Sequence, residues 1–178
     1  MDKSVNQELL NLVRDFRSNC HAAWIKFAFD RRNCGSPELW KPLPGNEQVF
    51  SFLNRYISDS FGFESLGDEW REHSLDEAEH FLITAMSYDL HGNDIWDKEK
   101  AARFFELICE ELGADRRFFC NARPLMQHAA ISRADRRNPV WQNGMAFYGK
   151  KLLGIVWISI HADPYTIVAP ESLEENLR

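Results

Sequence analysis

The sequence predicts an α+β fold: four helices over about residues 4–113, packed on a C-terminal antiparallel sheet of three or four strands over about residues 114–170. Three observations carry this reading. Apolar residues recur every three or four positions through the first two-thirds of the chain, the spacing of a buried helix face. Beyond Gly113 the pattern changes to short apolar runs rich in β-branched and aromatic residues, which suit strands. Short turn signals separate the late runs, at Asn138-Pro139, Gly149-Lys150 and Asp163-Pro164. With 178 residues, 44% hydrophobic and 27% charged, the chain is expected to form one domain, 1–178, with a core that needs no staple.

The elements follow in order. Ser4-Val5-Asn6-Gln7 reads as a capping box that opens the first helix. Leu9, Val13, Phe16, Cys20, Ala23/Trp24 and Phe27 then place one apolar face as far as about Asp30, and Asn33-Cys34-Gly35 stops it. Ser36 to Trp40 reads as a single helical turn with Pro37 at its first position. A second helix runs from Asn46 to about Ser60, with Val49, Phe50, Leu53, Ile57 and Phe61 on one side. Gly62 to His73 is turn-rich but holds Phe63, Leu66 and Trp70, too apolar for a free linker between domains.

Ser74-Leu75-Asp76-Glu77 is the strongest cap in the sequence, because Ser74 and Glu77 can each satisfy the other's backbone amide. The helix it opens is expected to turn Leu75, Ala78, Leu82, Ala85 and Met86 inward, with Phe81 beside them, and Asp76, Glu79, His80 and Ser87 outward, and to end at His91-Gly92. Asp94 is expected to cap a fourth helix with Ala101, Phe104, Phe105, Ile108 and Leu112 buried and Gly113 as its stop. These last two helices form an antiparallel hairpin with a very short connection. Arg117–Asn121 reads as a strand, Pro124 to Ala134 as a helix, and Met145–Tyr148 as a strand. Leu152–Ile160 is apolar enough to be a central strand covered on both faces, and Tyr165–Ala169 is expected to return antiparallel to it.

Charge is unevenly distributed. Asp59 to Leu112 holds 15 acidic side chains against four basic ones, so it carries −11 of a chain whose net charge is −6. Ala114 to Lys151 holds eight basic side chains and two acidic ones. The two halves either neutralise each other within the chain or offer separate surfaces. On the second reading, Asp68, Glu69, Glu72, Asp76, Glu79 and Asp97 form a face for a basic protein partner. Glu106, Glu110 and Glu111 are further candidates for that face. Arg123, Arg133, Arg136 and Arg137 could hold an anion or a carboxylate ligand through guanidinium forks.

Chemistry is less marked. His161-Ala162-Asp163 closes the last apolar run, where a His and an Asp on one strand face could form a base and its orienter, with His128 a further acid/base candidate. Glu77-x-x-His80 has the spacing of one half of a carboxylate-bridged dimetal site, but the second pair and the extra carboxylates are missing, so neither metal nor cofactor is expected. There is no Gly-x-Ser-x-Gly elbow and no Gly-rich phosphate loop. The acidic balance argues against nucleic acid as the main partner.

Four cysteines without Cys-x-x-Cys spacing, no secretory signal and no apolar run near the roughly 20 residues of a membrane span point to a cytoplasmic protein without a membrane partner. The expected function is therefore a protein-binding module of the immunity or antitoxin kind, which neutralises a basic enzyme through an acidic helical face. The alternative is a small enzyme or ligand-binding domain with its site around His161 and Asp163.

Overall fold

The computed structural model describes residues 6–20, 23–31, 45–61, 70–89, 92–114, 116–121, 140–149 and 152–161. Within them lie α1 (Gln7–Asn19), β1 (Ala23–Arg31), α2 (Gly45–Phe61), β2 (Arg71–His73), α3 (Leu75–Ser87), α4 (Lys98–Leu112), β3 (Arg117–Cys120), β4 (Val140–Tyr148) and β5 (Leu152–His161). The five strands form one antiparallel sheet in the order β1-β5-β4-β3-β2. Mixed helix and antiparallel sheet agree with the α+β class. The sheet is larger than expected, and two of its strands, β1 and β2, lie among the helices along the chain.

The main difference lies at residues 23–31. The apolar spacing predicts a helix to about Asp30, but α1 ends at Asn19 and the chain turns into a strand. Both periods fit the sequence here. Ala23, Ile25, Phe27 and Phe29 alternate as a strand face requires, and β1 pairs residue for residue with β5 from Ala23↔Ile160 to Arg31↔Leu152. Nine paired positions and a strand-favouring aromatic set decide against the helix. The N-cap of α1 is Asn6, whose side chain accepts from the Glu8 amide at 2.9 Å; the expected cap, Ser4, lies outside the described residues. β2 is only three residues long, below the length at which a period can be read, and pairs with β3.

Side-chain alternation divides the sheet into two packed faces. On one, Ala23, Ile25, Phe118, Cys120, Met145, Phe147, Val156, Ile158 and Ile160 pack with the buried faces of α1, α3 and α4. On the other, Phe119, Ala146, Ile155 and Trp157 meet Val49, Leu53 and Ile57 of α2, together with Trp70. Helices therefore cover both faces, which explains why β5 is buried along its whole length from Leu152 to Ile160. β5 has β1 on one side and β4 on the other, so both its edges are paired. The expected helical turn 36–40, helix 124–134 and return strand 165–169 lie outside the described residues.

Two glycines admit large rings into the sheet. Gly144 is the cross-strand partner of Trp157, and Gly154 that of Phe147. A Cβ at either glycine would overlap the partner's ring. Phe147 sits in a cluster with Phe29 at 5.4 Å, and Phe29 in turn meets Phe27 at 4.1 Å between ring centroids.

The connection between α3 and α4 is longer than a tight turn. Tyr88 leaves the helix in an extended conformation and bridges Asp94, while the Ile95 amide donates to the Ser87 carbonyl at 2.8 Å. Within this hairpin the Asp89 carboxylate accepts from the Asn93 backbone and side-chain amides, both at 2.8 Å. Gly92, with φ of 79°, serves this turn and is not the cap of α3. The cap of α4 is Asp97, which accepts from the Glu99 and Lys100 amides, whereas Asp94 is held in the bridge to Tyr88. Gly113, with φ of 80°, ends α4 as expected.

Candidate functional site

The capping box at Ser74 sets the site's main element. The Glu77 amide donates to Ser74 Oγ at 3.3 Å, and Glu77 Oε2 accepts from the Ser74 amide and hydroxyl, both at 2.8 Å. These bonds to Ser74 hold the Glu77 carboxyl below its usual range, with a smaller contribution from His73. Glu77 is thereby occupied, which removes it from any metal pair with His80. Among the described residues no group of three or more His, Cys, Asp or Glu is arranged to hold a metal ion.

Fixed at its start, α3 turns Ala78, Leu82, Ala85 and Met86 into the core; Leu75, expected inward, is 39% exposed at the first helical position, and Ser87, expected outward, is buried where the returning chain bonds its carbonyl. Asp76, Glu79, His80, Ile83 and Thr84 stand on the opposite side, where they line a cleft of about 520 Å³ with Tyr88, Gly92 and Lys98. Three elements make its walls: α3, the hairpin after it, and the first residue of α4. Its start was readable in the sequence, because Asp76, Glu79 and His80 fall on the outward side of the α3 period. Gly92 and Lys98 were not, since their place depends on the hairpin of the α3–α4 connection.

The expected acidic face separates into residues with internal duties and residues without. Glu72 is on β2 and accepts twice from Arg117, at 2.7 and 2.8 Å. The Arg117 hydrogen bond lowers the Glu72 carboxyl's pKa, and Glu72 raises that of the guanidinium, which also lies over the Phe119 ring at 5.0 Å. Asp97 caps α4. Glu106 and Glu110 share Arg103 with Glu8 of α1, at 2.9 to 3.1 Å, which fastens α4 to α1. Asp15 accepts from Lys100 and from the Trp96 indole, and both bonds lower its pKa. Asp76 and Glu79 form no ion pair with any described residue. They share the cleft, with Asp76 exposed and Glu79 half-buried.

Among the described residues, the basic half is joined to the acidic half by the Arg117–Glu72 ion pair. Arg116 turns back toward the Cys109 carbonyl at 3.5 Å. Cys120 is buried, and burial raises its thiol pKa well above the ordinary value; Cys109 is raised for the same reason. Neither thiol is primed as a nucleophile.

Of the other sequence candidates, Asp68, Glu69, Arg123, Arg133, Arg136, Arg137, His128 and Asp163 lie outside the described residues. His161 is the last residue of β5, in register with Val140. Two residues before it in β5, the fully buried Ser159 has an Oγ with no hydrogen-bond partner among the described residues. No helix among the described residues is long and apolar enough to cross a membrane. No protein-family model, no curated protein and no solved structure matches the chain.

Proposed function

We propose that this chain is a cytoplasmic protein-binding module that engages a basic partner through the outer face of α3, in the manner of an immunity protein or antitoxin acting on a basic enzyme. The observation that carries the reading is the contrast among its acids. Glu8, Asp15, Glu72, Glu106 and Glu110 are each held by an Arg or Lys of the same chain. Asp76 and Glu79 form no ion pair with any described residue, and they stand together at a cleft on a helix whose start is fixed by a reciprocal cap. Acids on a rigid support that form no ion pair with a described residue keep their potential for a partner, where complementary charge steers encounter and sets register.

The test is capture of a partner by the immobilised chain at low and high salt, with the captured protein identified and its charge determined. A basic protein is expected, lost at high salt and lost with Asp76→Lys plus Glu79→Lys. An acidic partner, or capture unchanged by the double variant, would overturn the reading.

A second reading places a ligand site at the end of the sheet near His161. The buried hydroxyl of Ser159 favours it, because it has no hydrogen-bond partner among the described residues and a buried polar group calls for one. A ligand screen by thermal shift, with His161→Ala as control, decides it. A ligand that stabilises the wild type and not the variant supports a site there; no stabilisation removes it.

A further inference from the structure

We propose that the cleft along α3 seats an extended segment of the partner, about five residues long, with a basic side chain at one end and a carboxylate at the other. The inference rests on the acidic-face reading and adds a direction to it. Lining residues run from Asp76 to Tyr88 along the helix, and at 1.5 Å per residue this spans about 18 Å. An extended chain covers that length in about five residues.

The charge along the cleft changes sign. Asp76 and Glu79 lie at the α3 N-terminal end. Lys98 lies at the other, because the Ile95 amide bonds the Ser87 carbonyl and holds the chain beside the end of α3 three residues before Lys98. Between the two ends, Ile83 offers apolar surface and Thr84 and Tyr88 offer hydroxyls that can donate to or accept from an extended backbone. The far wall is a built turn, since Asp89 fixes Asn93 through two hydrogen bonds. Gly92 leaves that wall open: a Cβ there would meet nothing within 4 Å. Since Asp97 occupies the α4 amides, a carboxylate at this end would be met by the Lys98 side chain.

A groove acidic throughout would prefer a peptide with two basic ends. A groove that changes sign prefers one basic and one acidic end, and it disfavours both single-sign peptides by placing like charges together.

The experiment is a nuclear magnetic resonance titration of the isotope-labelled chain with three capped peptides, Arg-Ala-Ala-Ala-Glu, Arg-Ala-Ala-Ala-Arg and Glu-Ala-Ala-Ala-Glu. The mixed peptide is expected to shift the amides of Ile83, Thr84, Tyr88 and Gly92 saturably. It should bind about tenfold more tightly than either other peptide. Lys98→Glu is expected to reverse the preference toward the two-arginine peptide, and Lys98→Ala to abolish it. Absence of saturable shifts with the mixed peptide at millimolar concentration, or the same ranking in wild type and Lys98→Glu, would overturn the proposal.

Partner capture separates this outcome from the broader one. Loss with Asp76→Lys plus Glu79→Lys but full capture with Lys98→Glu keeps the acidic face and removes the polar groove. Loss with both sets supports the groove, and loss with neither removes both readings.

Discussion

Glu72 and Arg117 meet across the β2–β3 pair through two hydrogen bonds, Nε to Oε1 at 2.7 Å and Nη2 to Oε2 at 2.8 Å. The pair joins the acidic half of the sequence to the basic half and fastens a strand of only three residues. Its side chains are 31% and 38% exposed, so water screens the charges and the contribution is that of a well-formed surface pair. Glu72→Gln is expected to lower stability by about 0.5 kcal/mol. Arg117→Ala is expected to cost about 1 kcal/mol, because it also removes the guanidinium from the Phe119 ring. Urea denaturation at low and high salt checks both, and a salt-independent loss for Glu72→Gln would show that the charge is not the cause. The acid limb has a defined sign. Glu72's folded-state pKa lies below the ordinary value of 4.5, so its contribution is complete above that value and is lost as pH falls through the folded one. Glu72→Gln flattens that part of the curve.

The capping box makes a second prediction. Ser74→Ala removes the acceptor for the Glu77 amide and the hydroxyl donor to the Glu77 carboxylate, and is expected to cost about 1 kcal/mol at neutral pH. Glu77 is held below its ordinary value of 4.5 mainly by its bonds to Ser74. Stability from that carboxylate is therefore present above the ordinary value and lost as acid is added through the folded value. The gap between wild type and Ser74→Ala should narrow below about pH 4.5. A gap that stays constant with pH would mean that the cap does not act through Glu77.

Gly154 and Phe147 give a third. The ring of Phe147 occupies the space a Cβ would need at its cross-strand partner, and the Ala28 carbonyl lies 3.1 Å from the same point. Neither wall yields easily inside a sheet packed on both faces. Gly154→Ala is expected to destabilise by about 1–3 kcal/mol, the usual cost of overpacking. Gly144→Ala, against Trp157, should behave alike. Phe147→Leu combined with Gly154→Ala should recover part of the loss, and thermal melts of the two single variants and the double variant measure that coupling.

What the sequence revealed and what it did not follow from the range of the forces involved. The Ser74 cap, the stop at Gly113, the buried stripe from Ala101 to Leu112 and the two-sided burial of Leu152–Ile160 depend on near neighbours, and all were legible. Residues 23–31 were not, because their apolar spacing suits a helix as well as a strand and only pairing with β5, over a hundred residues away, decides. β2 and the Asp97 cap escape a sequence reading for related reasons: one is three residues long, and the other depends on a hairpin longer than its turn signals suggest. At the candidate site, the outward line of Asp76 and His80 was legible from the period of α3. The neutralisation of Glu72, Glu106 and Glu110 was not, because each partner is chosen by tertiary packing or by side-chain geometry on a helix surface.

The two acids at the cleft should differ in what they do for the fold, and this bears on how binding variants are read. Asp76 lies in the first turn of α3, where the unpaired amides and the helix dipole favour a negative charge. Glu79 lies one turn further on and forms no ion pair with a described residue, so it gains little there. Asp76→Lys is expected to cost about 0.3–1 kcal/mol, whereas Glu79→Lys should stay within about 0.5 kcal/mol of wild type. Asp76→Asn, which keeps the shape and removes the charge, should lie between wild type and Asp76→Lys. Thermal melts at low and high salt check the ranking, and the Asp76 effect should shrink as salt rises. Equal losses at the two positions would mean that Glu79 has a structural role. If the ranking holds, a Glu79→Lys chain that melts like the wild type but no longer binds its partner is the cleaner sign that the partner touches the cleft, since at Asp76 a weakened helix start contributes as well.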